Sequence, residues 1–237
     1  MCTVILLRRP GHAWPLLLAA NRDERLDREW EPPAEFWPGI LGGRDTLAGG
    51  TWMALGRQGV VAAVLNRPGS LGPAAGKRSR GELPLMAAEA TSAAEAAHRM
   101  GGLDAGLWRS FNLVIADARS AWFLAGLGEG APEVTALSEG VTMVTAHPPN
   151  DLTSARTARH LPRFRAAKAP EPPDWGEWPT LLADSSGSTA EALNVPPLGG
   201  FGTVCSSLLA LGAEGQREWR FAAGPPDRTP FEALALP

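Results

Sequence analysis

The chain has 237 residues, and its 44% hydrophobic and 20% charged content is typical of a globular protein with one large domain or two small ones. A net charge of -3 does not indicate a basic surface for binding nucleic acid or a polybasic patch for binding a membrane. Two cysteines cannot form a disulfide framework, and no apolar run approaches a membrane span, so we expect a soluble, cytoplasmic chain.

The first elements form a predicted hairpin. Residues 2–7 are apolar and β-branched, as in a buried strand, and residues 15–20 predict a second strand that pairs back on the first. The end of this hairpin brings Asn21-Arg22-Asp23-Glu24 beside the start of the chain. Charged residues directly after a buried strand must reach water, form pairs or line a site.

The next part combines loops with a second hairpin. Residues 28–47 contain Pro-Pro and Gly-Gly pairs and no clear element, which predicts a functional loop. Strands are predicted over 51–57 and 60–65, and they end at the turn Asn66-Arg67-Pro68-Gly69. Residues 69–80 are polar and Gly-rich, which predicts a flexible loop.

The second half alternates helices with strand pairs. Further predicted helices cover 81–100, 150–165 with a break at Pro162, 180–184 and 189–193, and further strands cover 111–117, 121–125, 134–137, 141–145, 203–211 and 217–222. We interpret the third and fourth of these strands as another hairpin. About ten strands in hairpins indicate an α+β fold with antiparallel sheets. The sequence contains no repeat or linker, so we predict a single domain over 1–237.

Cys2 is the first candidate for chemistry. Removal of Met1 would make it a terminal residue with two useful groups: a nucleophilic thiol, and an α-amine whose ordinary pKa of about 7.7–8.0 suits a base near neutral pH. The alternative is that Cys2 only fills a core position.

Three further positions could complete a site around Cys2. Asp23 could bind the α-ammonium, or it could form a surface ion pair with Arg22 or Arg25. Asn66 could donate its amide to an oxyanion, or it could be a simple turn residue. Arg156 lies among other basic residues and could support a thiolate or a substrate carboxylate, or it could belong to a solvated helix face.

Other kinds of site lack support in the sequence. His147, His160 and Cys205 have no metal-ligand spacing, so we predict no metal. No Gly-rich phosphate-binding motif and no Gly-x-Ser-x-Gly elbow occurs.

A set of motifs in a fixed order resembles a known family. The motifs are Met1-Cys2, Asn21-Arg22-Asp23-Glu24, Gly49-Gly50-Thr51-Trp52, Arg80-Gly81-Glu82-Leu83, Phe111-Asn112-Leu113, and Gly202-Thr203 with Ser206-Ser207. Together they resemble the NRDE-motif family, the relatives of transport and Golgi organisation protein 2. That family is similar to Cys-type N-terminal-nucleophile hydrolases such as bile-salt hydrolases and penicillin V acylases.

The resemblance implies a fold and a set of roles. The fold is a four-layer αββα sandwich, in which two stacked, mainly antiparallel sheets are flanked by helices. Cys2 takes the place of the nucleophile, and Asn21 and Asp23 match an Asn-x-Asp motif whose Asp is the partner of the amine. Asn66 matches an oxyanion donor, and Arg156 matches a later arginine.

The chain departs from the hydrolase pattern at two positions and from the NRDE pattern at a third. Ala20 stands where the acylases have an arginine, and Ala146 stands where they have a second oxyanion Asn. Val204 stands where NRDE relatives often carry Arg. Arg22 and His147 are the nearest substitutes for the first two.

These observations lead to one site and two candidate functions. We predict catalytic roles for Cys2, Asp23, Asn66, Arg22 and Arg156, and substrate contacts from the residues Asn21, His147 and Asn112. The leading function is hydrolysis of a small, non-peptide acyl-amide bond without a resident cofactor. The alternative is a carrier on the same fold, with haem as a possible ligand or with a role in lipid or acyl-CoA homeostasis. In either case the partner is a small molecule.

Overall fold

The computed structural model describes residues 2–236. In chain order these residues form the strands β1 (Thr3–Arg8), β2 (Leu16–Arg25), β3 (Trp30–Trp37), β4 (Ile40–Asp45), β5 (Met53–Gly56) and β6 (Val61–Asn66), the helices α1 (Glu82–Ala88) and α2 (Ala93–Gly101), the strands β7 (Phe111–Ala116), β8 (Ala121–Gly126), β9 (Glu133–Ala136) and β10 (Gly140–Val144), the helices α3 (Ala155–Ala166) and α4 (Trp178–Leu182), and the strands β11 (Phe201–Leu211), β12 (Arg217–Ala222) and β13 (Glu232–Ala233). They fall into two compact units. Unit 1 contains residues 2–28, Glu139–Thr145 and residues 149–236, and unit 2 contains Glu29–Ser138 and Ala146–Pro148. The single domain over 1–237 stays a prediction.

Unit 1 is built on a six-stranded antiparallel sheet. Its strand order is β10-β1-β2-β11-β12-β13, so β1 and β2 form the predicted hairpin near the middle of the sheet. Alternate residues of β1, such as Ile5, pack against α3 and α4 through Phe164 and Trp178. The rings of Phe164 and Trp178 meet edge to face, with centroids 5.3 Å apart. This core fixes which face of β1 and β2 lies against the helices.

Unit 2 is built on a seven-stranded meander. Its strands follow chain order from β3 to β9, and all of the pairs are antiparallel. The helices α1 and α2 present alanines to one face of the sheet, where Val60, Leu113 and Ile115 are buried. The predicted pairing of β5 with β6 and of β7 with β8 is confirmed. Unit 2, like unit 1, thus has an antiparallel sheet packed against helices, as the sequence predicted.

The prediction of an irregular loop over residues 28–47 was wrong. This stretch forms β3 and β4, which are paired with each other. Pro32 and Pro33 are tolerated because β3 is the edge strand, where a missing N–H need not face a neighbour. Register shifts after Glu31 and after Ala34 accommodate the irregularity. Proline marked an edge here and not a loop.

Two other predictions in this half also change. The helix predicted over 81–100 is two helices, because Ser92 caps a new helix by accepting a hydrogen bond from the N–H of Glu95. The strands predicted over 134–137 and 141–145 are not a hairpin, because β9 pairs with β8 and β10 pairs with β1.

The C-terminal helices begin and end differently from the prediction. Ser154 caps α3 at the N–H of Thr157, and the helix continues through Pro162 without a break. Buried contacts of Leu161 and Phe164 on either side stabilise this turn against the missing hydrogen bond of the proline. No helix forms over 189–193.

Candidate active site

The Asn21-Arg22-Asp23-Glu24 motif lies inside β2 and not after it. The strand continues to Arg25 because β11 pairs along this whole stretch, with Thr203 opposite Asp23 and Cys205 opposite Arg22. A bulge between Thr203 and Cys205 lets both pairs form. Since strand side chains alternate between faces, Asp23 points to the face that carries α3, and Arg22 points to the opposite face.

Asp23 forms a buried ion pair with Arg156. Its Oδ2 accepts a hydrogen bond from Nη1 of Arg156 at 2.9 Å, and the two side chains are 0% and 3% exposed. The same Nη1 donates to Oγ1 of Thr3 at 3.1 Å, and Oδ1 of Asp23 accepts from Oγ1 of Thr203 at 2.7 Å. The alternative reading of Arg156 as part of a solvated helix face is therefore wrong, and so is that of Asp23 as a surface ion pair.

Thr203 connects this ion pair to the rest of unit 1. Its Oγ1 accepts the N–H of Val195 at 2.7 Å while its proton is directed to Asp23. Thr203 belongs to one of the family motifs, but the sequence pattern indicates no role for it or for Thr3. Their positions opposite Asp23 and Asn21 follow from strand register, which sequence patterns leave open.

Cys2 lies next to this cluster. Its side chain is half-buried, and Sγ donates to the backbone carbonyl of Asp23 at 3.6 Å. Burial and the negative charge of Asp23 raise the pKa of the Cys2 thiol above its ordinary value. The thiol therefore needs a base before it can act as a nucleophile at neutral pH. Met1, whose removal would supply that base, lies outside the described residues.

Asn21 has a full set of structural contacts. Its Nδ2 donates to the carbonyls of Leu182 and Leu193 at 2.9 Å each, and its Oδ1 accepts from Oγ of Ser206 at 2.6 Å. One amide hydrogen thus holds β2 to the last residue of α4, and the other holds it to the segment that follows α4. Its predicted role as a substrate contact stays a prediction.

The remaining predicted residues lie in unit 2. Asn66 ends β6 and is half-exposed, and its side-chain amide makes no hydrogen bond to any residue in the range 2–236. Asn112 is buried in β7 and donates to the carbonyl of His147 at 3.0 Å. The structure therefore brings Cys2, Asp23 and Arg156 together in one unit, and Asn112 and His147 together in the other.

The structure shows where the two departures from the hydrolase pattern and the one from the NRDE pattern lie. Val204 is the extra residue of the bulge in β11. Ala146 is buried in unit 2, and Ala20 is half-buried between Ala19 and Asn21 on β2. Arg22 is 5% exposed, and Nη2 lies 3.8 Å from Oε2 of Glu24.

Neither a metal centre nor a membrane helix is present in the described range. Within residues 2–236, no group of three or more His, Cys, Asp or Glu side chains is arranged to hold a metal ion. In the same range no helix has the length and apolar character needed to cross a membrane.

Helix α3 contains a second buried titratable group, which leads to a stability prediction. Nε2 of His160 lies 2.9 Å from the carbonyl of Glu191, and Nδ1 lies 3.1 Å from Nη1 of Arg163. Since Arg163 can only donate, Nδ1 must accept and the neutral ring is favoured. Burial, with the positive charges of Arg163 and Arg159, lowers the pKa of His160 to about 4, although Glu191 and Asp184 oppose part of the shift.

We expect acid to destabilise the folded chain through His160. Below the ordinary histidine pKa of about 6.5 the unfolded chain binds a proton that the folded chain does not. The contribution of His160 to stability is therefore fully present above this pH and is lost as the pH falls towards about 4. The expected loss is roughly 3 kcal/mol, because a pKa lowered from about 6.5 to about 4 corresponds to about 1.4 kcal/mol for each pKa unit. Urea unfolding across this range should show a smaller pH slope for His160→Gln, and equal slopes for the two proteins would contradict the prediction.

Comparisons with solved structures show the fold. The Caenorhabditis elegans N-acylethanolamine-hydrolyzing acid amidase ortholog matches with a TM-score of 0.61 and 11% identity over 100% of both chains. A mutant of the conjugated bile acid hydrolase from Clostridium perfringens matches with a TM-score of 0.57 and 12% identity over 100% of this chain and 97% of that one. The chain has the α+β fold of N-terminal-nucleophile hydrolases, which confirms the predicted fold class.

Comparison with sequences gives the family. Residues 1–220 match the family Transport and Golgi organisation 2, and the chain belongs to that family, as its motifs predicted. The Transport and Golgi organization protein 2 homolog of Bos taurus is 34% identical over 114 residues. That match spans 45% of this chain and 40% of the bovine protein.

Proposed function

We propose that this chain is a Cys-type N-terminal-nucleophile amidohydrolase that cleaves a small, non-peptide acyl-amide bond. The observation that carries the proposal is the thiol of Cys2 on the backbone of Asp23, whose carboxylate is held in a buried ion pair. The fold supports it, because the solved structures with this fold include an acid amidase and a bile acid hydrolase. A shared fold alone would not assign the activity.

The reaction begins with removal of Met1, which exposes the α-amine of Cys2. The amine takes the thiol proton, and Sγ forms a bond to the carbonyl carbon of the substrate while the carbonyl oxygen becomes an oxyanion. The ammonium then returns the proton to the leaving nitrogen, the C–N bond breaks, and a thioester remains on Cys2. Water adds to the thioester, which releases the acid and restores the thiol.

Asp23 and Arg156 have complementary tasks in this scheme. Oδ2 of Asp23 accepts from Arg156 and Oδ1 accepts from Thr203, so the carboxylate that would bind the α-ammonium is held in one orientation. Arg156 balances the charge of Asp23 and fixes its rotamer. Arg22 supplies positive charge on the opposite face of the strand. The oxyanion role of Asn66 stays a prediction.

Mass spectrometry provides the direct test. We expect the intact mass of the purified protein to lack Met1, and a thiol-directed β-lactone to acylate Cys2 as located by peptide mapping. The variant Cys2→Ala should not be acylated. The mechanism would be refuted by an active preparation that retains Met1.

The raised pKa of Cys2 also favours the carrier function, since a protonated thiol is a poor nucleophile. A haem titration separates the two functions. Saturable Soret shifts that survive Cys2→Ala, with no turnover of an acyl-amide panel, would favour the carrier. Turnover that depends on Cys2 would favour the hydrolase.

A further inference from the structure

Arg67 in unit 2 is held by a turn that fixes its backbone. The N–H of Ser70 donates to the carbonyl of Arg67 at 3.1 Å across Pro68 and Gly69, and Gly69 has a φ of +73°. Proline followed by a residue with positive φ is the pattern of a type II turn. Oγ of Ser70 accepts the N–H of Arg67 at 3.0 Å, and Nη1 of Arg80 donates to the carbonyl of Ser70 at 2.6 Å. The loop predicted to be flexible is therefore anchored where it begins.

The side chain of Arg67 is oriented by a buried amide. Nη1 of Arg67 donates to Oδ1 of Asn112 at 2.6 Å, and Nδ2 of Asn112 donates to the carbonyl of His147 at 3.0 Å. Asn112 is 0% exposed and pairs with Leu65, so Arg67, two residues further along the chain, reaches it diagonally. Because arginine only donates and a carbonyl only accepts, this arrangement allows one orientation of the amide.

The positive charge of Arg67 is not neutralised by a carboxylate. Other arginines of unit 2 form ion pairs, such as Arg44 with Glu31 and Arg78 with Glu82. For Arg67 no ion pair occurs with any residue from 2 to 236, and Asn112 is the one hydrogen-bond partner of its guanidinium there. The guanidinium is half-exposed and has five N–H donors, of which this bond uses one.

These contacts give a cation that is fixed before any ligand arrives. An ordinary surface arginine loses rotamer freedom when it binds, whereas the ordering of Arg67 is already supplied by Ser70 and Asn112. A neutral amide orients the guanidinium and leaves its charge intact. The planar fork of donors matches two oxygens of a carboxylate or a phosphate.

We infer that Arg67, oriented by Asn112, binds the anionic group of a small-molecule ligand. The chemical class is an oxyanion that accepts two parallel hydrogen bonds, so it is a carboxylate or a phosphate. The site belongs to unit 2 alone, and none of its contacts involves Cys2.

Calorimetric titrations with inorganic phosphate and with propionate test this site. We expect wild type to bind at least one of the two, and the tighter of them assigns the ligand class. Arg67→Gln should weaken that binding about tenfold or more, and Arg67→Lys should also weaken it because lysine lacks the fork. The matched control is Arg165→Gln, which removes the same charge from an exposed position on α3 and should bind as wild type does.

A second variant separates recognition from folding. Asn112→Asp keeps the shape of the side chain but places a carboxylate on Arg67, so anion binding should fall by a similar factor while thermal melting still shows a cooperative fold. Binding by Arg67→Gln at wild-type affinity would overturn the inference, and so would no binding of either anion to wild type. Cys2→Ala should bind the anion as wild type does, so the outcome of this test is independent of the proposed hydrolase activity.

Discussion

Replacing Arg156 with methionine should lower the free energy of unfolding by about 3–5 kcal/mol. The change removes the cation that faces the carboxylate of Asp23, whose side chain is fully buried. Methionine fills much of the volume but leaves the negative charge without its partner in a medium of low dielectric constant. Oγ1 of Thr3 loses its donor as well. The loss exceeds the worth of a surface ion pair, because a buried carboxylate then loses the cation to which it is hydrogen-bonded.

Urea unfolding of matched variants measures this effect. Arg165→Met, in the last turn of the same helix, removes an exposed charge and should change the stability by no more than about 0.5 kcal/mol. Adding Asp23→Asn to Arg156→Met should restore part of the lost stability, since no buried charge is then left unpaired. If Arg156→Met were as stable as Arg165→Met, the prediction that the ion pair stabilises the fold would be contradicted.

The sequence predicted one half of this cluster better than the other. Cys2 and Asp23 could be placed together because a hairpin with a short turn brings the start of β1 next to the end of β2. For Arg156 the sequence allowed two interpretations, a role in the site or a place on a solvated helix face. Its position depends on where α3 begins, and Ser154 rather than Asn150 or Asp151 is the cap. A shift of the cap by several residues changes which side chains face the sheet.

The fold was predicted where patterns are regular, and it was missed where tertiary contacts override them. Short apolar runs were sufficient for β1, β2 and β7. By contrast, Pro32-Pro33 suggested a loop because local sequence does not reveal that β3 lies at an edge of the sheet. Partners of β10 could not be inferred either, because pairing with β1 joins segments more than 130 residues apart. Long-range register is a property of the packed sheet and not of a sequence window.

The second large effect is expected at Cys2. Replacing Cys2 with alanine should lower kcat on an acyl-amide substrate by a factor on the order of 10³ or more, since the nucleophile and the thioester are both lost. The fold should be kept, because Sγ makes one long hydrogen bond to the carbonyl of Asp23. Stopped-assay kinetics on both proteins, with the substrate chosen from the panel that wild type cleaves, would measure this ratio.

Cys205 provides the control within the same chain. It lies opposite Arg22 on β11, and burial strongly raises the pKa of its thiol, so it is not a nucleophile near neutral pH. Cys205→Ala should therefore retain kcat within a few-fold of wild type, provided that a melting curve shows the same fold. Turnover that survives Cys2→Ala but is lost in Cys205→Ala would assign the chemistry to Cys205 and contradict the proposed mechanism. Equal loss in both variants would indicate a structural effect on β2, whose neighbours are β1 and β11. Selective loss with Cys2→Ala is the outcome that we expect, because removal of Met1 would give an adjacent terminal amine to Cys2 and not to Cys205.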